Sequence, residues 1–590
     1  MVAMLTLART ITDTKCPRDQ VSDIRLRMLH ARPRLLLAVV ACLLVSSATS
    51  LTVPTVSARL VDDALRRSDQ AANTALFAGL VVILTMRLAA EVTGYLARHT
   101  AVAVATAGLR RDLLKHAFML GVPGTRRYST GDLVGRLVGN AGRAAEYVPA
   151  IASLVAAALT SVGGVVALWI IDWHVSVAFI LAAIPVVFML RHSARGAMAP
   201  FEAYQRHLGV LTARLSDAIA GAQTVRASGT FHRETERVLA VRSDLGKATR
   251  RVWAVQRSIA WKFRLALTGV SIFVLAVGGL GAAGGRLSAG DLLAVVMYVG
   301  YASAGLSQVD NLISLVSSKA DANRISEVLE DSPLWQGHER NGRPDGAGEI
   351  SIANVSYENL LRAIDLRVPA GSSMALVGRS GEGKTTLAML VGGLLKPDAG
   401  CVSIDGTTVA RTSEAVSYAF DRPVLYGATV REAVAYGSPG ATAERIEAAL
   451  HASGCQAFVA HLPNGADTPL LDARFSGGEL QRLGLARALV QDRRVLVLDD
   501  ATSSLDTVTE AQIAASITAG LAGQTRLIVT HRAATAARTD AVAWLDGGRV
   551  RAVATHAELW VTEPDYRALF GAVAADEAAA PPATTGLRGR

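Results

Sequence analysis

Only four cysteines occur in the 590 residues, Cys16, Cys42, Cys401 and Cys455. They lie far apart and without metal-ligand spacing, which argues against both a disulfide framework and a zinc site. No secretory signal peptide is expected either. Residues 1–34 are mixed and basic (Arg9, Lys15, Arg18, Arg25, Arg27, Arg32, Arg34), with no small-residue cleavage site after a short apolar run. The same stretch offers no Cys-His pair on a folded scaffold, so no peptidase module is expected there. The net charge is +10, but no groove-reading motif accompanies it, and no nucleic-acid partner is expected. Lys and Arg at the flanks of membrane helices account for the excess more simply.

What the chain has in plenty is apolar sequence. Hydrophobic residues make up 51%, mean hydropathy is +0.32, and the excess is concentrated before about residue 316. A single core does not serve this length, so two or more domains are expected. Six runs, near 35–57, 74–95, 147–171, 174–192, 265–285 and 292–316, approach the ~20 residues that cross a bilayer. The break between the third and fourth rests on Asp172, Trp173 and His174. The basic leader places the N-terminus inside, and six crossings return the chain to the cytoplasm. Charge inside the runs is scarce. Apart from Arg87 and Glu91, four apart near the end of the second run, none sits clearly mid-span, which gives no sign of a proton relay. Mutual pairing is the expected role of those two.

Between the second and third runs, and between the fourth and fifth, lie long helical stretches with few strand or turn signals. Each is punctuated once, at Gly124–Leu133 and around Gly229–Glu234, and the matching placement favours a docking role. Asp331 to Gly348 carries Pro, Gly and charge without periodicity and reads as a linker. The boundaries expected are a leader over 1–34, a membrane domain over 35–330, the linker 331–348, an α/β domain over 349–572, and a disordered tail over 573–590.

In the second half, Met374-Ala375-Leu376-Val377 reads as a buried strand. It runs into Gly378, Arg379, Ser380, Gly381, Glu382, Gly383, Lys384, Thr385 and Thr386, which open a helix. Strand, glycine loop and helix in that order make a phosphate cradle. Backbone N–H groups converge on phosphate oxygens, the helix N-terminus adds positive potential, and Lys384 reaches the terminal phosphates. The Thr385 hydroxyl is placed to coordinate Mg2+. Val495–Leu498 is a second strand ending in Asp499, a magnesium carboxylate, with Asp500 beside it as general base for the attacking water. His531 ends a third strand, Leu527-Ile528-Val529-Thr530, as a γ-phosphate contact. The cofactors expected are ATP and Mg2+.

Together with Phe475-Ser476-Gly477-Gly478-Glu479, Gln481-Arg482, Ala486-Arg487-Ala488 and Ser504-Leu505-Asp506, these residues resemble the ATP-binding cassette transporters. The match is to half-transporters with a membrane domain fused before the nucleotide domain. Gly131-Asp132-Leu133 and Ala220–Arg226, in the two helical excursions, match as well. The resemblance covers about residues 30–572. It implies an all-α six-helix transmembrane domain followed by an α/β phosphate-loop ATPase domain. It also implies a dimer in which ATP lies between one chain's phosphate loop and the partner's Ser476, Gly477 and Gly478.

Several positions depart from the family pattern. The base position holds Asp500 rather than Glu, shorter by roughly 1.5 Å of reach. The adenine-stacking aromatic falls on Asn359, with Tyr357 two residues earlier expected to pack in the core. The glutamine after the first subdomain strand aligns with Asp421, which keeps an oxygen for nucleotide-bound magnesium but loses the amide donor. The Gly-Glu-Arg-Gly segment ahead of the signature is replaced near Leu470–Arg474. These changes gather at the chain's own site or its coupling to the membrane, while Ser-Gly-Gly is kept for the partner. The expectation is a plasma-membrane exporter subunit of a heterodimer, both termini cytoplasmic, carrying a small molecule, lipid or peptide. Siderophore-type import on the same fold and an ATP-binding regulatory subunit remain open alternatives.

Overall fold

The computed structural model describes residues 33–65, 70–305, 309–334, 346–409, 413–505, 507–520 and 523–579. The leader up to residue 32, the middle of the linker, Asp506 and the tail beyond 579 lie outside the described residues. The described chain divides into two compact units. One comprises residues up to His116 and Thr130–Asp331, the other Ala117–Ser129 and Ser332 onward.

The first unit is helical. Its long elements are α1 (Pro33–Leu65), α2 (Gln70–Arg127, continuing into the second unit), α3 (Tyr147–Ile171), α4 (Trp173–Ala220), α5 (Arg242–Ala283), α6 (Ala289–Ser303) and α7 (Val309–Glu330). Among the described residues four helical stretches are long and apolar enough to cross a membrane, and Trp173–Met189 and Ala289–Ser303 are shorter apolar helices. The run expected near 292–316 leaves the helix at Ala304 and Gly305, which form a turn after α6, and residues 306–308 lie outside the described residues. The break at Asp172 has a plain cause. Its backbone is extended (φ −155°, ψ 118°) and its carboxylate accepts from His174 N, capping α4.

Lipid gives no hydrophobic push between helices, so close backbone approach and satisfied polar groups hold them together. A Cβ on Gly164 would lie 2.7 Å from Ala302 N, and one on Gly290 only 2.1 Å from Ala58 O. Tyr298 Oη donates to Leu51 O at 2.6 Å, Ser161 Oγ to Ala302 O at 2.5 Å, and Thr160 Oγ1 to Ser47 Oγ at 2.9 Å. At its N-terminus α6 is fastened to α1, with Ser288 Oγ and Gly290 N donating to the Asp62 carboxylate at 2.5 and 2.8 Å.

The second unit holds two sheets. Antiparallel β1 (Ile350–Tyr357), β2 (Leu361–Val368), β4 (Ala399–Ile404) and β5 (Thr407–Thr408) are ordered β2-β1-β4-β5. The other sheet is ordered β10-β9-β3-β8-β7-β6, from β3 (Ser373–Val377), β6 (Val416–Ala419), β7 (Val495–Asp499), β8 (Thr525–Val529), β9 (Ala541–Asp546) and β10 (Arg549–Ala554). Its strands are parallel except for β10. Every residue of β3 and β7 is buried, so both read as unbroken apolar runs, as strands covered on both faces must. Helix α8 (Lys384–Val391) follows β3 and sinks Leu387, Leu390 and Val391 into the core shared by the sheets. Tyr357 lies in that core, 6% exposed, as expected of it. The segment Ala117–Ser129 belongs here too. Leu334 N donates to Met119 O, Val122 packs on the core, and Arg126 lies 3.6 Å from Glu358.

Candidate functional site

Ligands of open parallel sheets gather beyond the carboxyl ends of the strands. Here β3, β8 and β7 are neighbours in that order. The loop from Gly378 therefore leaves one strand, His531 follows the next, and Asp499 ends the third. Two glycines shape the loop, Gly381 (φ 91°) and Gly383 (φ 89°), both in the left-handed region. A Cβ on Gly383 would also meet Leu361 Cδ2 at 2.7 Å. Arg379, Ser380 and Gly381 are exposed, whereas Gly378, Gly383, Lys384 and Thr386 are buried.

Lys384 Nζ donates to Gly378 O and Arg379 O at 2.8 Å each, and burial lowers its pKa. Thr385 Oγ1 donates to Asp499 Oδ1 and Tyr418 Oη to Asp499 Oδ2, both at 2.8 Å. Burial raises the Asp499 pKa against those two bonds, and burial together with the Asp499 charge raises that of Tyr418. Asp500 stands with φ 46°, a left-handed backbone uncommon outside glycine. Burial, with the Asp499 charge adding and Lys384 opposing, pushes its carboxyl up to about 6. His531 Nε2 lies 3.6 Å from Asp500 Oδ2, and burial lowers the imidazole pKa, so at neutral pH the ring is uncharged with one N–H to donate. A cavity of about 340 Å3 is lined by Asp500, His531, Asp421, Ser503, Glu510 and Arg532 among others. It has room for several waters beside the carboxylate.

Asp421 is placed differently from the phosphate-loop residues. Its Oδ1 accepts from Gln481 Nε2 at 3.1 Å and Ser503 Oγ at 3.0 Å. Gln481 is quoted in the family motif, but sequence reasoning gave it no role in the site. It lies 3% exposed on α9 (Gly477–Leu489), its Nε2 also donating to Asp421 O and Ser503 Oγ at 2.9 Å each. Its Oε1 accepts from Ser504 N at 2.9 Å. The helix begins at Ser476, whose Oγ accepts from Glu479 N while Glu479 Oε2 accepts from Ser476 N and Oγ, a reciprocal capping box. Gly477 has open space around it, and a Cβ on Gly478 would sit 3.2 Å from Ser504 O. Arg532 was also missed. It pairs with buried Glu510 and donates to Ser503 O and Leu505 O at 3.1 Å each. Both misses concern pairs far apart in sequence, for which spacing carries no signal.

The arrangement is that of a triphosphate cradle with a carboxylate pair at its end. Comparison with known proteins agrees. The family model described as ABC transporter matches residues 361–503, and that described as ABC transporter transmembrane region matches 36–306. The chain is 41% identical over 476 residues to the ABC transporter ATP-binding protein RamA of Streptomyces coelicolor, covering 79% of this chain and 74% of that protein. It is 30% identical over 500 residues to an ATP-dependent lipid A-core flippase of Aromatoleum aromaticum, covering 81% and 82%. A solved bacterial Atm1-family ABC exporter with ATP bound shares the fold, with a TM-score of 0.78 over 92% of this chain and 98% of that one at 23% identity. The chain belongs to the ABC transporter family, as an exporter-type subunit in which a helical membrane domain precedes an ATP-hydrolysing α/β domain.

Proposed function

We propose that this chain is one half of a heterodimeric exporter, spanning the plasma membrane six times with both termini cytoplasmic. Its cargo is a small amphipathic molecule, lipid or peptide. The likeness to a protein named as a lipid flippase supports that cargo class. In this reading ATP lies on the Gly378–Thr386 loop, with Lys384 on its terminal phosphates and His531 donating to the γ-phosphate. Asp500 draws the proton from the attacking water. Thr385 and Asp499 offer two hard oxygens joined at 2.8 Å, a donor set that suits Mg2+. When bound there, the cation neutralises charge on the β- and γ-phosphates. Ser476, Gly477 and Gly478 serve the partner's nucleotide through the exposed start of α9.

The observation that carries the paired-subunit reading is the company Asp500 and Asp421 keep. Asp500 is one methylene shorter than the Glu of the family pattern and is held at φ 46°. A shortfall of about 1 Å at a reacting group costs on the order of a hundredfold in rate. Asp421 is bonded to Gln481 and Ser503, and it lacks the amide donor of the usual glutamine. The Ser476 cap, by contrast, is fully formed. This chain's own site is therefore the slow one and the site it completes for its partner the fast one. Purified alone, the chain should show little ATP turnover and gain it on adding a second half-transporter with Glu at the base position. A homodimer running at full transporter rate, and losing that rate on Asp500→Asn, would refute the heterodimer and the slow site together.

A further inference from the structure

Arg87 and Glu91 are set in the apolar part of α2 and pair as the sequence leads one to expect, with Nε to Oε1 at 2.8 Å. A third group joins them from far along the chain. Arg87 Nη1 donates to Tyr301 Oη on α6 at 2.8 Å, with the guanidinium 5.8 Å from the centre of that ring. Tyr301 lies roughly 20 Å along α6 from the Ser288 cap at about 1.5 Å per residue. With the Ser288 cap near one face of a hydrocarbon layer of about 30 Å, that distance falls inside the layer.

Charges at that depth face protein or a water-filled cavity rather than lipid. Yet the pair is not covered by its own chain. Its side chains are 30% and 48% exposed, and only 6% of the apolar window of α2 is buried. A guanidinium has five N–H donors. Among the described residues, Glu91 and Tyr301 occupy Nε and Nη1 and nothing occupies Nη2 or Glu91 Oε2. On the same helical face, one turn to either side, stand Leu84 and Tyr95, both exposed. The face therefore offers a held, partly exposed fork of donors beside Leu84 and Tyr95.

We propose that Arg87, held by Glu91 and Tyr301, is the cargo-headgroup site, and that it takes an amphipathic anion. The carboxylate or phosphate of the cargo bonds the free edge of the guanidinium, and its apolar body lies along Leu84 or Tyr95. Glu91 is a positioning residue that holds the fork and balances its charge while no cargo is bound. This assignment rests on the exporter reading above and names the class of molecule that reading leaves open.

The test uses the full-length transporter, with its partner subunit, in lipid nanodiscs. Laurate and dodecyl phosphate are the anionic probes and dodecanol the uncharged one. Equilibrium binding without ATP and stimulation of ATP turnover are both measured. Both anions, or whichever of carboxylate and phosphate is the true headgroup, should bind more tightly than dodecanol. Arg87→Gln should reduce that preference about tenfold or more, the scale of a lost charge-assisted bond. Arg87→Lys, with charge but no fork, should fall between. Glu91→Gln, which frees the guanidinium, should strengthen anion binding, a rise that a purely structural role does not produce. Equal binding of all three probes to the wild type overturns the assignment. So does a loss in both variants that affects all probes alike, or an Arg87→Gln protein that changes only dimer stability. Anion preference that survives Lys384→Ala in the ATP-free arm supports the site even where transport itself fails.

Discussion

Replacing Asp500 by Asn should stabilise the nucleotide-free protein while slowing hydrolysis, and the size of the gain follows from the burial of the carboxyl. In the fold this group titrates at about 6, against 3.8 for an ordinary aspartate. The unfolded chain therefore ionises first, and at neutral pH the fold holds a charge it would rather not carry. A raised folded pKa contributes stability below the unfolded value and loses it as pH rises through the folded one. Holding the carboxyl at about 6 rather than 3.8 costs about 3 kcal/mol at pH 7.5 and roughly half of that at pH 5. Asn has similar shape, carries no charge and tolerates the left-handed backbone at this position. In nucleotide- and magnesium-free buffer, Asp500→Asn should raise the Tm of the soluble-domain transition by roughly 5–10 °C at pH 7.5, with the gain shrinking towards pH 5. The residual ATP turnover of this chain's own site, measured on the chain alone, should climb as pH passes upward through about 6. An Asn variant no more stable than wild type at pH 7.5, or a gain independent of pH, would show that Asp500 is not a strained buried charge.

Three further substitutions read other parts of the molecule. Lys384→Ala removes the ammonium bonded to the Gly378 and Arg379 carbonyls and should weaken ATP binding at least about tenfold in a fluorescent-nucleotide titration. Gln481→Leu leaves Asp421, Ser503 and Ser504 without their shared amide. It should cost about 1–3 kcal/mol by thermal unfolding, the price of unsatisfied buried groups. Gly290→Ala forces a methyl group to within 2.1 Å of Ala58 O and should lower the thermal stability of the detergent-solubilised membrane domain by about 1–3 kcal/mol.

Much of the architecture is written locally. The phosphate loop is legible because glycines fall between an apolar strand and a helix, and Asp499 because it ends a run buried on both faces. The break at Asp172 was visible for a similar reason, as a short polar side chain between two apolar stretches that turned out to cap α4. Tyr418 on Asp499, Arg532 on Glu510 and Tyr301 on Arg87 were not legible. Each of these bonds joins residues 22 to 214 positions apart, and its partner is chosen by strand order or helix packing rather than by spacing. Arg87 marks the boundary. Its pairing with Glu91 follows from one helical turn, whereas its bond to Tyr301 depends on how α2 and α6 lie beside each other.

Gln481 shows why such distant pairs matter if, as proposed, the ATP sites are shared between chains. One oxygen and one nitrogen of a single amide reach Ser504 N, Ser503 Oγ and the Asp421 carboxylate and carbonyl, all between 2.9 and 3.1 Å. Hydrogen bonds weaken steeply with misalignment, so these four are kept together only with α9 in one place. The same helix starts at Ser476 and Gly477, the exposed end assigned above to the partner's nucleotide. Gly478 brings its backbone within a methyl group of Ser504 O. A shift of α9 by even an ångström must therefore disturb Asp421 and Ser503, which line the cavity beside Asp500. On the proposed reading the link between the two ATP sites needs no separate messenger, because the helix that would serve one carries the side chain that fastens the loops beside Asp500.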